Sequence, residues 1–187
     1  MSRRRPQIQQ RKVIFVGCEG ESERGYGGLL QDLADARGLR VHIQAENLHP
    51  AGDPLARVER ALKRLEHISK TRGAIRDRFI LLDTDQVVLH PQRAQLARSL
   101  AAHHGIILVW QDPAVEGVLL RDLAGMTDRR PPDAPSALQA LESAWPGYAK
   151  AMSRADLAAR IDLEGVLRAA AVEPELRQLL QCIGLMA

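Results

Sequence analysis

Short apolar runs and helical stripes alternate along the first two thirds of the chain. Val13 to Cys18, Phe79 to Leu82 and Ile106 to Trp110 are almost unbroken in their hydrophobicity. Runs of that length without polar alternation fit strands covered on both faces, as in a parallel sheet. A weaker run, Leu39 to Gln44, alternates Val41 and Ile43 with polar neighbours. The predicted strands are therefore 13–18, 39–44, 78–83 and 106–110.

Helical stripes fill the intervals. Tyr26, Leu29, Leu30 and Leu33 fall at i, i+3, i+4 and i+7, which predicts a helix from about Ser22 to Gly38. Asp53-Pro54 is an N-cap with proline at the first helical position, followed by the stripe Val58, Leu62, Leu65 and Ile68 to about Thr71. Pro91 opens a third helix with Ala94, Ala97, Leu100 and Ala101 inward, and Asp112-Pro113 starts a fourth through Val115, Val118 and Leu119.

Strands alternating with helices predict an α/β fold: Rossmann-like, with a mainly parallel four-stranded sheet and helices on both faces. Arg129-Arg130-Pro131-Pro132-Asp133 breaks the pattern, and no strand candidate follows. Leu138, Leu141 and Trp145 mark one later helix, Ser153 caps a second, and Pro174 opens a third with Leu176, Leu179, Leu180 and Ile183 on one face. The organisation read from this is a basic flexible arm (1–11), an α/β core (12–128) and a C-terminal helical extension packed on it (129–187).

Composition narrows the function classes. The hydrophobic fraction is 45% and the charged fraction 26%, as in an ordinary globular protein. Aromatics are 3%, too few for base stacking as the main mode of nucleic-acid binding. A net charge of +3 and a pI of about 9.2 are compatible with a polyanionic partner. Cys18 and Cys182 form no disulfide or metal framework, and Cys18 ends a buried strand. The basic start has no apolar segment after it, and no run reaches the length of a membrane span, so the expectation is a cytoplasmic chain with no membrane partner.

The candidate chemistry is acidic. Ligands of an open parallel sheet bind outside the carboxyl ends of its strands. Glu19 and Glu21 follow the first strand, Asp83 and Asp85 the third, and Asp112 and Glu116 the fourth. Ionised and unpaired on one rim, these groups would raise one another's pKa values, and a hard divalent cation removes the conflict. The plain alternative for Glu21, Glu23, Asp112 and Glu116 is the helix macrodipole, which favours acids in a first turn. Ser22, between two glutamates, reads as a helix cap. Gly20, Gly25, Gly27 and Gly28 lack the G-x-x-x-x-G-K spacing of a phosphate loop, and His103-His104 read as favourable charges at a helix end.

The strand followed by Cys18-Glu19-Gly20-Glu21-Ser22-Glu23 and Tyr26 resembles the C-E-G-x-x-T-E-x-x-Y opening of RloB-like proteins of the Toprim superfamily. Toprim domains carry a Glu after the first strand and Asp-x-Asp after the third, matched by Glu19, Asp83 and Asp85. The family's N-P-x-F-E-x-W segment has a degenerate counterpart in Asp112-Pro113-Ala114-Val115-Glu116-Gly117-Val118, and its Tyr-x-Lys is matched by Tyr148-Ala149-Lys150. The resemblance covers about residues 12–170. It implies a Mg²⁺- or Mn²⁺-dependent nuclease-like protein of bacterial anti-phage defence, acting on DNA or RNA and accompanied by an ATPase. It further implies Glu19 as general base or metal-orienting acid, Asp83 and Asp85 as principal ligands, Glu116 as a supporting ligand, Asp112 as an added one, and Lys150 or Arg24 as the cation on the scissile phosphate.

Two other readings stand beside it. Asp83-Thr84-Asp85 after an apolar strand is similar to the start of a haloacid-dehalogenase phosphatase, although the later Lys and acidic pair of that family have no counterpart in order. A non-catalytic Toprim-like subunit, binding an ATPase or nucleic acid through its tail and basic arm, is the other, and the degenerate third motif favours it.

Overall fold

The parallel sheet is built from β1 (Lys12–Cys18), β2 (Val41–Asn47), β3 (Asp77–Asp83) and β4 (Ile107–Gln111) in the order β2-β1-β3-β4. The structure is a computed structural model and describes residues 11–50, 52–73 and 75–187. Most of the predicted basic arm, residues 1–10, lies outside these; Arg11 pairs with Asp35 at 3.3 Å. All neighbouring strands are parallel, with Val16 opposite both Ala45 and Phe79, and Asp83 opposite Gln111.

Alternate residues of the central strands enter two separate cores, which is why their sequences carry no polar face. Ile14, Val16, Cys18, Phe79 and Leu81 join one cluster, and Phe15, Ile80 and Leu82 join the other. The second cluster is closed by α2 (Pro54–Arg72) and α4 (Pro91–His103), through Val58, Ala61, Leu65, Ala97 and Ala101. The first is closed by α1 (Glu21–Ala36), α5 (Val115–Asp122) and the tail helices α6 (Ala134–Ala144), α7 (Arg154–Ala158), α8 (Leu163–Val172) and α9 (Pro174–Ile183). Leu141, Val166, Ala169, Leu179 and Leu180 of the tail share that cluster with β1 and β3, so the tail completes, with α1 and α5, the cover of one face of the sheet. Arg121 of α5 fixes it there. Its fully buried guanidinium reaches Glu173 at 2.7 Å and the Asp112 carbonyl at 2.7 Å.

The structure departs from the sequence reading in several places. Strand pairing shifts β2 two residues later than 39–44 at its start and carries it to Asn47, which lies opposite Cys18. Between β3 and α4 lies a short helix, α3 (Asp85–Leu89), whose Val88 and Leu89 are exposed; five residues without a buried side show no stripe. The tail holds α7 and α8 where one helix was expected after Ser153. Ser22 is not the cap of α1, because the helix starts at Glu21 with Gly20 as N-cap, and the Ser22 hydroxyl instead accepts the Ala151 N–H at 3.1 Å. Asp112-Pro113 does not start α5. That helix starts at Val115, and its first N–H is taken at 3.0 Å by Asp83, reaching across from β3.

No helix among the described residues is long and apolar enough to cross a membrane.

Candidate functional site

The chain leaves β1 toward β2 on one side and β3 toward β4 on the other, so the carboxyl ends of the two central strands form the switch point at which an open parallel sheet has its ligand crevice. Glu19 follows β1 directly and Asp83 is the last residue of β3. The Asp83 N–H donates to Glu19 Oε2 at 3.3 Å, so the carboxylate of one strand end lies over the backbone of the other. Glu23, one turn into α1, folds back to accept the Gly20 N–H at 2.9 Å and is buried.

The electrostatics follow from crowding. Burial raises the pKa of Asp83 to about 9, and Glu19, Glu23, Asp85 and Glu116 all push it the same way. Glu23 is raised to about 7, chiefly by burial and then by Glu19 and Glu116, against the two backbone N–H groups that it accepts. Burial also raises Glu19, opposed first by the Arg57 guanidinium. At neutral pH Asp83 therefore holds its proton. Asp85 Oδ1 is buried with no hydrogen-bond partner among the described residues. Glu116 is buried, with the Lys150 ammonium at 3.6 Å. Tyr148 lies beside it, and burial together with the Glu116 charge raises its hydroxyl above the usual phenol range.

Two members of this cluster escaped the sequence reading. Arg57 of α2 is buried and sets Nη2 2.6 Å from Glu19 Oε1, while its Nη1 is buried without a hydrogen-bond partner among the described residues. An ion pair between residues so far apart in the chain leaves no periodic trace. Glu23 did leave one. It stands at i−3 from Tyr26 and i−7 from Leu30, both fully buried, so the stripe of α1 extended backwards lands on an acid.

Other predicted residues stand apart. The exposed Asp112 carboxylate accepts the Thr84 hydroxyl at 3.2 Å, and its charge bears on Arg121 and Glu173 rather than on Asp83. Glu21 is exposed and divided between Arg24 at 3.2 Å and Asn47 at 2.7 Å. The glycines of α1 are packing residues. A Cβ on Gly25 would overlap the Met152 carbonyl, and one on Gly28 would press on Arg154 at 3.1 Å. This close approach sets the segment bearing Tyr148 and Lys150 against the start of α1. Ala151 in that segment holds a φ of 62°, a left-handed conformation that disfavours a side chain.

All the candidate donors are hard oxygens, and Asp85 Oδ1 is an orphaned one, which suits a divalent cation such as Mg²⁺ or Mn²⁺. Their arrangement fits less well. Glu19 is committed to Arg57, and among the described residues no three acidic, histidine or cysteine side chains are placed to hold a metal ion together. Cation binding thus requires Glu19 to leave Arg57 and Asp83 to lose its proton. Comparison with known proteins adds no further constraint: no family model, curated protein or solved structure matches the chain, and the likeness to RloB-like proteins rests on the motif residues alone.

Proposed function

We propose that the crevice between β1 and β3 is a divalent-cation-dependent site for phosphodiester hydrolysis in nucleic acid, in a protein of RloB-like, phage-defence type. The observation that carries this reading is the convergence on Asp83, whose proton is held up to about pH 9 by burial and four neighbouring acids drawn from separate elements. A purely structural Asp capping α5 would not need Glu19, Glu23, Asp85 and Glu116 around it. Asp83 and Asp85 would hold the cation, with Glu19 joining them or orienting the attacking water. A bound Mg²⁺ supplies charge for the phosphoryl oxygens and lowers the pKa of water. Glu116 positions Lys150, whose exposed ammonium is free to swing toward a phosphate.

The Arg57–Glu19 pair supports a second reading. A guanidinium standing where a cation would be needed suits an accessory subunit that has no chemistry of its own and serves an ATPase partner.

The deciding experiment incubates the full chain with plasmid, single-stranded DNA and total tRNA, with Mg²⁺, Mn²⁺ or EDTA. Metal-dependent cleavage lost in both Asp83→Asn and Glu19→Gln is the expected result. Mn²⁺ binding followed by calorimetry gives a readout independent of turnover. Absence of both binding and cleavage, even with Arg57→Gln, would leave the accessory reading in place.

A further inference from the structure

The outward face of α2 packs against no core, although its Arg60 donates to the Pro50 carbonyl at 3.3 Å. Val58, Ala61, Leu65 and Ile68 turn inward, while Lys63, Arg64 and His67 are exposed. Arg60, Lys63, Arg64 and His67 line a groove of about 660 Å³ together with Glu59 and Pro50. Three full cations therefore face one acid. The remaining acid of this face, Glu66, is tied to Lys70 at 2.9 Å. Among the described residues neither Lys63 nor Arg64 makes an ion pair, so both are available to an incoming anion.

We propose that this groove binds the phosphate backbone of a single nucleic-acid strand and leads it to the acidic crevice. The destination rests on the reading of that crevice given above; the binding does not. Arg60 to His67 spans about 10 Å of helix axis, the length of roughly three nucleotides of one strand. Arg57, one turn before Arg60, already touches Glu19, so the row of cations ends at the site. A single row one helix wide follows one backbone. No Phe, Tyr or Trp lines the groove, so recognition is by phosphate charge, tolerant of sequence and steeply salt-dependent.

The test is fluorescence anisotropy with a labelled oligo-dT of about twelve nucleotides, in EDTA, across a salt series. Lys63→Glu/Arg64→Glu is expected to weaken binding by about tenfold or more and to flatten the slope of log K against log salt by about 1.4. Arg37→Glu/Arg160→Glu changes net charge equally at exposed positions away from α2 and is expected to stay within about twofold of wild type. Equal losses in the two pairs, no loss in the first, or no binding by the wild-type chain at low salt would overturn the proposal. Asp83→Asn is expected to bind like wild type. Binding lost on α2 without any metal-dependent cleavage in the wild type would sink the catalytic reading and spare this one. Cleavage abolished by Asp83→Asn with binding indifferent to α2 would do the reverse.

Discussion

Arg57 and Glu19 meet at 2.6 Å with side chains only 7% and 16% exposed, so the first predicted ligand of the acidic crevice is held by a cation that the protein itself provides. Removing one partner of such a pair leaves the other buried and unbalanced, typically at about 3–5 kcal/mol. Arg57→Gln is expected to lose about 3 kcal/mol in urea unfolding in EDTA. Arg57→Gln/Glu19→Gln should recover most of it. Mn²⁺ should stabilise Arg57→Gln more than wild type, because Glu19 is then free. A single variant as stable as the double would mean that the pair is not buried as described.

The folded protein should lose stability as pH rises. Asp83 ionises near pH 4 in an unfolded chain but near 9 in the fold, and Glu23 moves from about 4.5 to about 7. Between those values the native state holds protons that the unfolded state has released, so the stability present at low pH is lost as pH passes the folded values. Melting temperature in EDTA should therefore fall between about pH 5 and pH 9, and Asp83→Asn should flatten the fall. A rise over that range would contradict the crowding.

Asp112 and Asp83 are expected to part company. Asp112→Asn should leave Mn²⁺ affinity nearly unchanged, since its carboxylate is exposed and bonded to Thr84. Asp83→Asn should lower it by about tenfold or more. Titration calorimetry reads both.

The strands were legible because each central residue faces a core on one side or the other, so the runs of β1 and β3 are apolar throughout. Their shared rim followed from parallel order, and Glu19 and Asp83 do meet there. What could not be read was carried by contacts between distant segments. Arg57 looks like any arginine beside a helical stripe, and the first N–H of α5 goes to Asp83, from a strand more than thirty residues earlier in the chain. Glu23 is readable in principle, as the acid that the apolar stripe of α1 reaches when extended backwards.

Lys150 should matter to chemistry and not to folding. Its side chain is 68% exposed and 3.6 Å from Glu116, a pair worth little in water. Lys150→Ala is expected to change stability by less than about 0.5 kcal/mol while slowing any metal-dependent cleavage. A large loss of stability would show the ammonium to be structural.

Gly25→Ala should destabilise, although alanine favours a helix by about 0.5–1 kcal/mol. The added methyl would overlap the Met152 carbonyl, forcing α1 from the segment that carries Tyr148 and Lys150. A net loss of about 1–3 kcal/mol is expected in urea unfolding, with a shift in Trp145 emission.

Glu19 and the Asp83 amide that it accepts stand 64 positions apart. A nascent chain that has exposed only its first strand and the glutamates after it lacks Asp83, and the crevice is assembled only when the third strand docks beside them. If the crevice cuts nucleic acid, a polypeptide whose third strand has not yet emerged is harmless to the RNA around it.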